Sequence, residues 1–183
     1  MRRLVLAAAS ALLLGAGLPA AAQRTMESQF MAEAVADWCG GAPAAHVRFG
    51  RYLSSSCWTA GVGAMSFTHS LSSGDTLEYI DVVAEGDWAY RLLSTRSRML
   101  SLYGGGGVFL GYEAYDPWRR LPETIDPGLG KGTFVYGVRA SLCSELFVSR
   151  RLARVLGASV PLTFSSSVDW FHWELSAGFR LDI

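Results

Sequence analysis

The chain ends in an unbroken alternation. Phe171, Trp173, Leu175, Ala177, Phe179, Leu181 and Ile183 are apolar, and His172, Glu174, Ser176, Gly178, Arg180 and Asp182 stand between them. Successive side chains on a strand point to opposite faces, so this segment predicts a strand with one apolar wall and one polar or small wall. A soluble sandwich has the same period with its apolar wall turned inward. Two features favour a membrane instead: the strand is about the 9–11 residues that a tilted spanning strand needs, and aromatic residues lie near both of its ends, as in the girdles of membrane barrels.

The same period runs upstream. Residues 153–164 predict a strand with Leu156, Ala158, Val160, Leu162 and Phe164 on one face, and Arg154, Gly157, Ser159 and Thr163 expected opposite. Over 133–148, Phe134, Tyr136, Val138, Ala140, Leu142, Leu146 and Val148 share a face, against Arg139, Ser141, Cys143 and Glu145. In 99–113, Leu100, Leu102, Val108, Leu110 and Tyr112 oppose Ser101, Tyr103 and Glu113. In 77–90, Ile80, Val82, Ala84, Trp88 and Tyr90 oppose Asp81, Glu85 and Asp87. Toward the N-terminus the pattern thins. Trp58, Ala60, Val62 and Ala64 mark a strand over 57–68, and Val47 and Phe49 mark one over 45–53. Residues 27–38 set Phe30, Ala32, Ala34, Ala36 and Trp38 against Glu27, Glu33 and Asp37, with a composition that also suits a short helix. As a strand, this segment brings the count to eight, an even number that closes a barrel.

The expected fold is therefore all-β, an eight-stranded antiparallel up-and-down transmembrane barrel of the outer-membrane type. With both termini in the periplasm, the turns near 54–57, 92–98 and 149–152 face inward and the loops near 39–44, 69–76, 114–131 and 165–170 face outward. The longest of these, 114–131, carries three of the six prolines and falls on the outer side, as membrane barrels place their long loops.

Composition fixes the compartment. Arg2 and Arg3, an apolar run from Leu4 to Leu18 and the small Ala20-Ala21-Ala22 have the layout of a signal peptide over 1–22, with cleavage before Gln23. Residues 23–183 then form a single domain. With Arg2 and Arg3 taken from the 16 basic residues, 14 remain against 16 acidic ones, so an electrostatic nucleic-acid surface is not expected. Cys39, Cys57 and Cys143 lack the spacing of a zinc motif and are too few for a disulfide scaffold. At most one pair is expected to bond. Neither a metal nor a cofactor is anticipated.

Candidate chemistry is sparse. Gly104-Gly105-Gly106-Gly107 lies inside a strand with no helix after it, which excludes a phosphate-binding loop and suits a tightly coiled barrel wall. Gly130-Lys131-Gly132-Thr133 lacks the spacing of a Walker motif. An enzyme would draw on His172, near Asp169 and Ser165-Ser166-Ser167, but His46, His69 and His172 equally suit positions without catalytic work. The polar faces carry Glu33, Arg48, Asp81, Glu85, Glu113, Arg139, Glu145, Glu174, Arg180 and Asp182. Mixed signs there predict a salt-bridged interior in a barrel too narrow for an open pore. Function is then expected in the loops, with Trp118, Arg119 and Arg120 as the leading contact residues.

Several stretches resemble a known family. Gly111-Tyr112-Glu113, a long loop, Phe134-Val135-Tyr136-Gly137, the strand ending in Glu145-Leu146-Phe147-Val148-Ser149-Arg150, and Ala84-Glu85-Gly86 are similar to segments of the conjugal transfer protein TraO family of Bacteroides-type conjugative transposons. Asp87 stands where that family usually has a second glycine. The resemblance implies a part in DNA transfer between cells, with outer-membrane lipid and other proteins of the conjugation apparatus as partners. It implies no catalytic residue. The alternatives are a stand-alone barrel for adhesion or envelope maintenance, and a lipid-modifying barrel enzyme.

Overall fold

The computed structural model describes residues 28–39, 42–70, 76–115, 132–165 and 173–183. They form eight strands: β1 (Phe30–Cys39), β2 (Ala42–Tyr52), β3 (Ser56–Ser70), β4 (Thr76–Ser94), β5 (Leu100–Tyr115), β6 (Thr133–Phe147), β7 (Leu152–Thr163) and β8 (Glu174–Asp182). Each pairs antiparallel with its neighbour in sequence, and β1 closes on β8 with Met31 opposite Asp182 and Cys39 opposite Glu174. Closure leaves no unpaired edge, the condition for a sheet to cross a membrane.

Residues 27–38 had two expected forms, and the structure takes the strand. Strand alternation turns Glu33 and Asp37 inward while Ala34, Ala36 and Trp38 face out; a helix would have left β2 and β8 with open edges. The last strand is also shorter than its alternating sequence, and Phe171 and His172 lie outside the described residues.

The start of β1 and the end of β8 lie at one end of the barrel, here the terminal end. Its connections are short, running between Tyr52 and Ser56, Ser94 and Leu100, and Phe147 and Leu152. At the opposite, loop end the longest connection runs from Tyr115 to Thr133. The expected asymmetry holds there and between Thr163 and Glu174, but the first loop-end connection, expected over 39–44, is a tight turn between Cys39 and Ala42, so β2 begins inside it.

The distribution of side chains is inverted relative to a water-soluble fold. Val62 is 60% exposed and Phe134 67%, whereas Glu33 is 3% and Glu145 0% exposed. An apolar wall around the whole circumference far exceeds the patches that soluble monomers tolerate, and lipid is the solvent that suits it. Outward aromatics gather at two levels. Phe30 stacks on Phe49 at 5.5 Å, and Phe49 meets Trp58 at 6.5 Å, near the terminal end. Tyr112–Phe134 and Tyr136–Phe164 pair at 5.3 and 6.0 Å near the loop end.

One assignment from the sequence needs correction. Arg154 does not share the inner face with Gly157 and Ser159; two-residue steps back from Leu156 place it on the outer wall, where it is exposed. It stands near the terminal end, where a long cationic side chain reaches water past the lipid.

The glycine run lies within β5, as its context predicted. A Cβ on Gly105 would fall 2.1 Å from the Trp88 carbonyl oxygen, and one on Gly107 2.1 Å from Asp87 Oδ1. These positions need glycine because neighbouring groups occupy the space a side chain would fill.

Candidate functional site

The charges of the strands converge in the lumen. Apart from Arg154, the charged residues that the sequence placed on the polar faces turn inward wherever they are described, Asp37 and Asp87 included, and His46 and Tyr52 join them. Buried charge is tolerated only with partners, and the partners are set by strand register. One row of opposed residues runs across five strands: Arg180 on β8, Glu33 on β1, Arg48 on β2, Gly61 on β3 and Glu85 on β4.

Signs alternate along that row. Arg180 Nε donates to Glu33 Oε2 at 2.7 Å, and Arg48 Nη1 donates to Glu33 Oε1 at 3.0 Å. Arg48 Nε then donates to Glu85, two strands away. It can do so because Gly61 leaves the intervening position empty; a Cβ there would lie 2.7 Å from Arg48 Cγ. A second such arrangement follows. Asp87 on β4, Gly107 on β5 and Arg139 on β6 are opposed in register. Across the glycine, Arg139 Nε donates to Asp87 Oδ1 at 2.7 Å, its Nη2 donates to the second carboxylate oxygen, and its Nη1 donates to Glu85 Oε2 at 2.6 Å. The planar fork of Arg suits such bidentate contacts.

Two further groups flank this network. His46 lies over Gly63, with Nδ1 3.1 Å from Glu85 Oε1 and Nε2 3.3 Å from Asp37 Oδ2. Nearer the terminal end, Tyr52 donates its hydroxyl proton to Glu145, and Arg180 Nη1 approaches the Tyr52 oxygen at 3.3 Å and Glu145 Oε1 at 3.4 Å. Below them Met31, Tyr52, Cys57, Tyr103, Phe147 and Ala153 form an apolar layer across the barrel. Between the network and this layer lies a cavity of about 70 Å³, lined in part by Cys57, Thr59, Ser141, Cys143 and Ser176. It has room for a few water molecules.

The network is suited to holding strands together. Its carboxylates are engaged by Arg forks, His46 faces carboxylates through both nitrogens, and Ser159 donates to Glu174 at 2.6 Å. Cys39, Cys57 and Cys143 are all free thiols. Among the described residues, no group of three or more His, Cys, Asp and Glu side chains is placed to hold a metal ion.

The other candidate residues fall elsewhere. Trp118, Arg119 and Arg120 lie outside the described residues, as do His172, Asp169, Ser166, Ser167 and Lys131. Ser165 lies just past β7. The sequence reading missed Tyr52 and passed over His46. Both share the inward parity of Arg48, and that parity was the available signal.

The model of the family described as conjugative transposon protein TraO matches residues 48–183. The chain belongs to this family. The match extends beyond the segments that carried the resemblance, reaching from β2 to β8. No curated protein matches the chain in sequence. In fold it is similar to Neisserial surface protein A, at 13% identity and a TM-score of 0.64, over 85% of this chain and 96% of that one. It is also similar to the outer membrane protein OprG from Pseudomonas aeruginosa, at 11% identity and a TM-score of 0.61, over 88% and 98%. A major outer membrane protein from Thermus thermophilus matches at 15% identity and a TM-score of 0.53, over 85% and 99%.

Proposed function

We propose that this TraO-family chain is an outer-membrane barrel component of a conjugative DNA-transfer apparatus, with a structural or interaction role and no catalytic one. The observation that carries the reading is the family match over residues 48–183. The inverted barrel supports the location: exported through its signal peptide, the chain inserts with its terminal end toward the periplasm. Among the described residues the lumen is packed with paired charges and crossed by an apolar layer, and the space between them, about 70 Å³, is smaller than one nucleotide. DNA therefore passes elsewhere, and this barrel serves the apparatus by contact. The contacts belong to the outer loops, with Trp118, Arg119 and Arg120 as the leading residues.

Deleting the gene in a donor strain and counting transconjugants tests the role. Transfer should fall by orders of magnitude and return on complementation with the intact gene. Complementation with Trp118→Ala/Arg119→Ala/Arg120→Ala should restore the barrel to the membrane but not full transfer. Transfer at the parental rate in the deletion strain rejects the role in conjugation.

A further inference from the structure

The strongest feature that the lumen network does not absorb is charge at the terminal end. Besides Arg91, whose Nη2 donates to the Ser54 carbonyl at 3.0 Å, six arginines surround it among the described residues. Arg51 and Arg154 stand on the outer walls of β2 and β7, Arg96 and Arg98 in the connection after β4, and Arg150 and Arg151 in the connection after β6. Arg96, Arg150, Arg151 and Arg154 are exposed, and Arg51 and Arg98 are half-buried. The side-chain carboxylates at this end among the described residues, Glu145 and Asp182, are 0% and 4% exposed in the lumen. The surface field of the collar is thus positive, with the opposite charge folded inside.

Arg51 sets the height of the collar. Its guanidinium lies 5.1 Å from the centre of the Phe30 ring, and Phe30 belongs to the aromatic group formed with Phe49 and Trp58. Aromatic girdles mark the boundary between acyl chains and headgroups. A guanidinium on the lipid-facing wall at that boundary sits level with headgroup phosphates. Arg154 also projects outward near this end, from β7 between Leu152 and Leu156. Arg150 and Arg151 continue the positive charge into the adjoining turn. Arginine also suits a phosphate ligand, since its fork engages two oxygens at once.

We propose that this collar binds the phosphates of an anionic phospholipid leaflet and anchors the terminal end of the barrel in it. The proposal rests on the membrane reading above. A leaflet is favoured over a soluble acidic partner because Arg51 and Arg154 project from the wall that faces lipid, not from the mouth of the barrel. The collar would then fix the depth of the barrel from the periplasmic side and leave the loop end available for partners.

The full chain, reconstituted in phosphatidylethanolamine vesicles with a minor share of brominated phosphatidylglycerol, provides the test. Bromine quenches nearby tryptophans, here Trp58 and Trp88 in the girdle, and yields the relative affinity of the two lipids. The expected preference for phosphatidylglycerol at low salt is about fivefold, the value for a single well-engaged arginine. It should decline in high salt and approach unity in Arg51→Gln/Arg150→Gln/Arg151→Gln/Arg154→Gln. The turn variant Arg150→Gln/Arg151→Gln, which leaves the strands untouched, should lose part of the preference and serves if the fourfold variant does not fold. Equal affinity for both lipids in the wild-type chain overturns the proposal, as does a preference indifferent to salt and to both variants. Salt-sensitive binding of poly-glutamate to the vesicle-embedded chain, without any lipid preference, also overturns it in favour of a soluble acidic partner. A chain that fails to insert at all, seen as migration unchanged by heating on a gel, instead refutes the membrane reading itself.

Discussion

Arg180→Met is expected to destabilise the detergent-folded barrel by about 3–5 kcal/mol, the cost of stranding the partners of a buried ion. Arg180 is buried where β8 meets β1, and its guanidinium serves three acceptors at once: Glu33, Glu145 and Tyr52. Without it Glu33 keeps Arg48 at 3.0 Å, while Glu145, fully buried, keeps the short contact from Tyr52. Methionine fills most of the volume, so the loss reports charge and hydrogen bonding more than packing. Urea titration followed by tryptophan fluorescence measures it. Adding Glu145→Gln to Arg180→Met should recover part of the loss, because one of the stranded charges is gone. A shift below about 1 kcal/mol would mean that water relieves these groups and that the lumen is not the closed network described.

Val62→Arg tests the other wall. Val62 projects outward from the middle of β3, opposite Val47 and Ala84 on the flanking strands. On a lipid-facing wall, an arginine near the bilayer midplane costs about 2–4 kcal/mol and one near the interface about 0–1 kcal/mol. Ser55→Arg, in the exposed turn between β2 and β3, is the matched control. In a water-soluble barrel the two substitutions would be nearly equal, each within about 0.5 kcal/mol of neutral. Folding titrations into lipid vesicles separate the two cases: the account requires a clear gap between Val62→Arg and Ser55→Arg.

Much of the fold was legible because β4, β6 and β8 carry charged residues at several inward positions. Asp81, Glu85 and Asp87 on β4, or Glu174, Arg180 and Asp182 on β8, fix the parity without ambiguity. The first three strands were harder to read. Ala32, Ala34, Ala36, Ala60 and Ala64 face outward, and Gly61 and Gly63 face inward. Small residues on both walls weaken the contrast on which period-two reading depends. The parity of Arg154 was misassigned because its charge suggested the lumen, where position along the strand required the wall.

The network inside was legible as an inventory and not as a set of pairs. Arg180 and Glu33 meet across the seam that closes the barrel, which links residues near opposite ends of the chain. Arg48 reaches Glu85, and Arg139 reaches Asp87, only by passing over Gly61 and Gly107 on the strands between them. Those partners follow from strand register, which alternation does not encode. Register also gives Asp87 its place: it presents Arg139 with a bidentate carboxylate across Gly107.

The central claim is that this chain spans an outer membrane as a closed barrel. Its most direct test is fractionation of the producing cells on a sucrose gradient, with each fraction run on a gel before and after boiling. The account predicts that the chain sediments with the outer membrane and migrates faster unboiled than boiled, as a folded barrel does. Recovery in the soluble periplasmic fraction, with migration indifferent to heating, would contradict it.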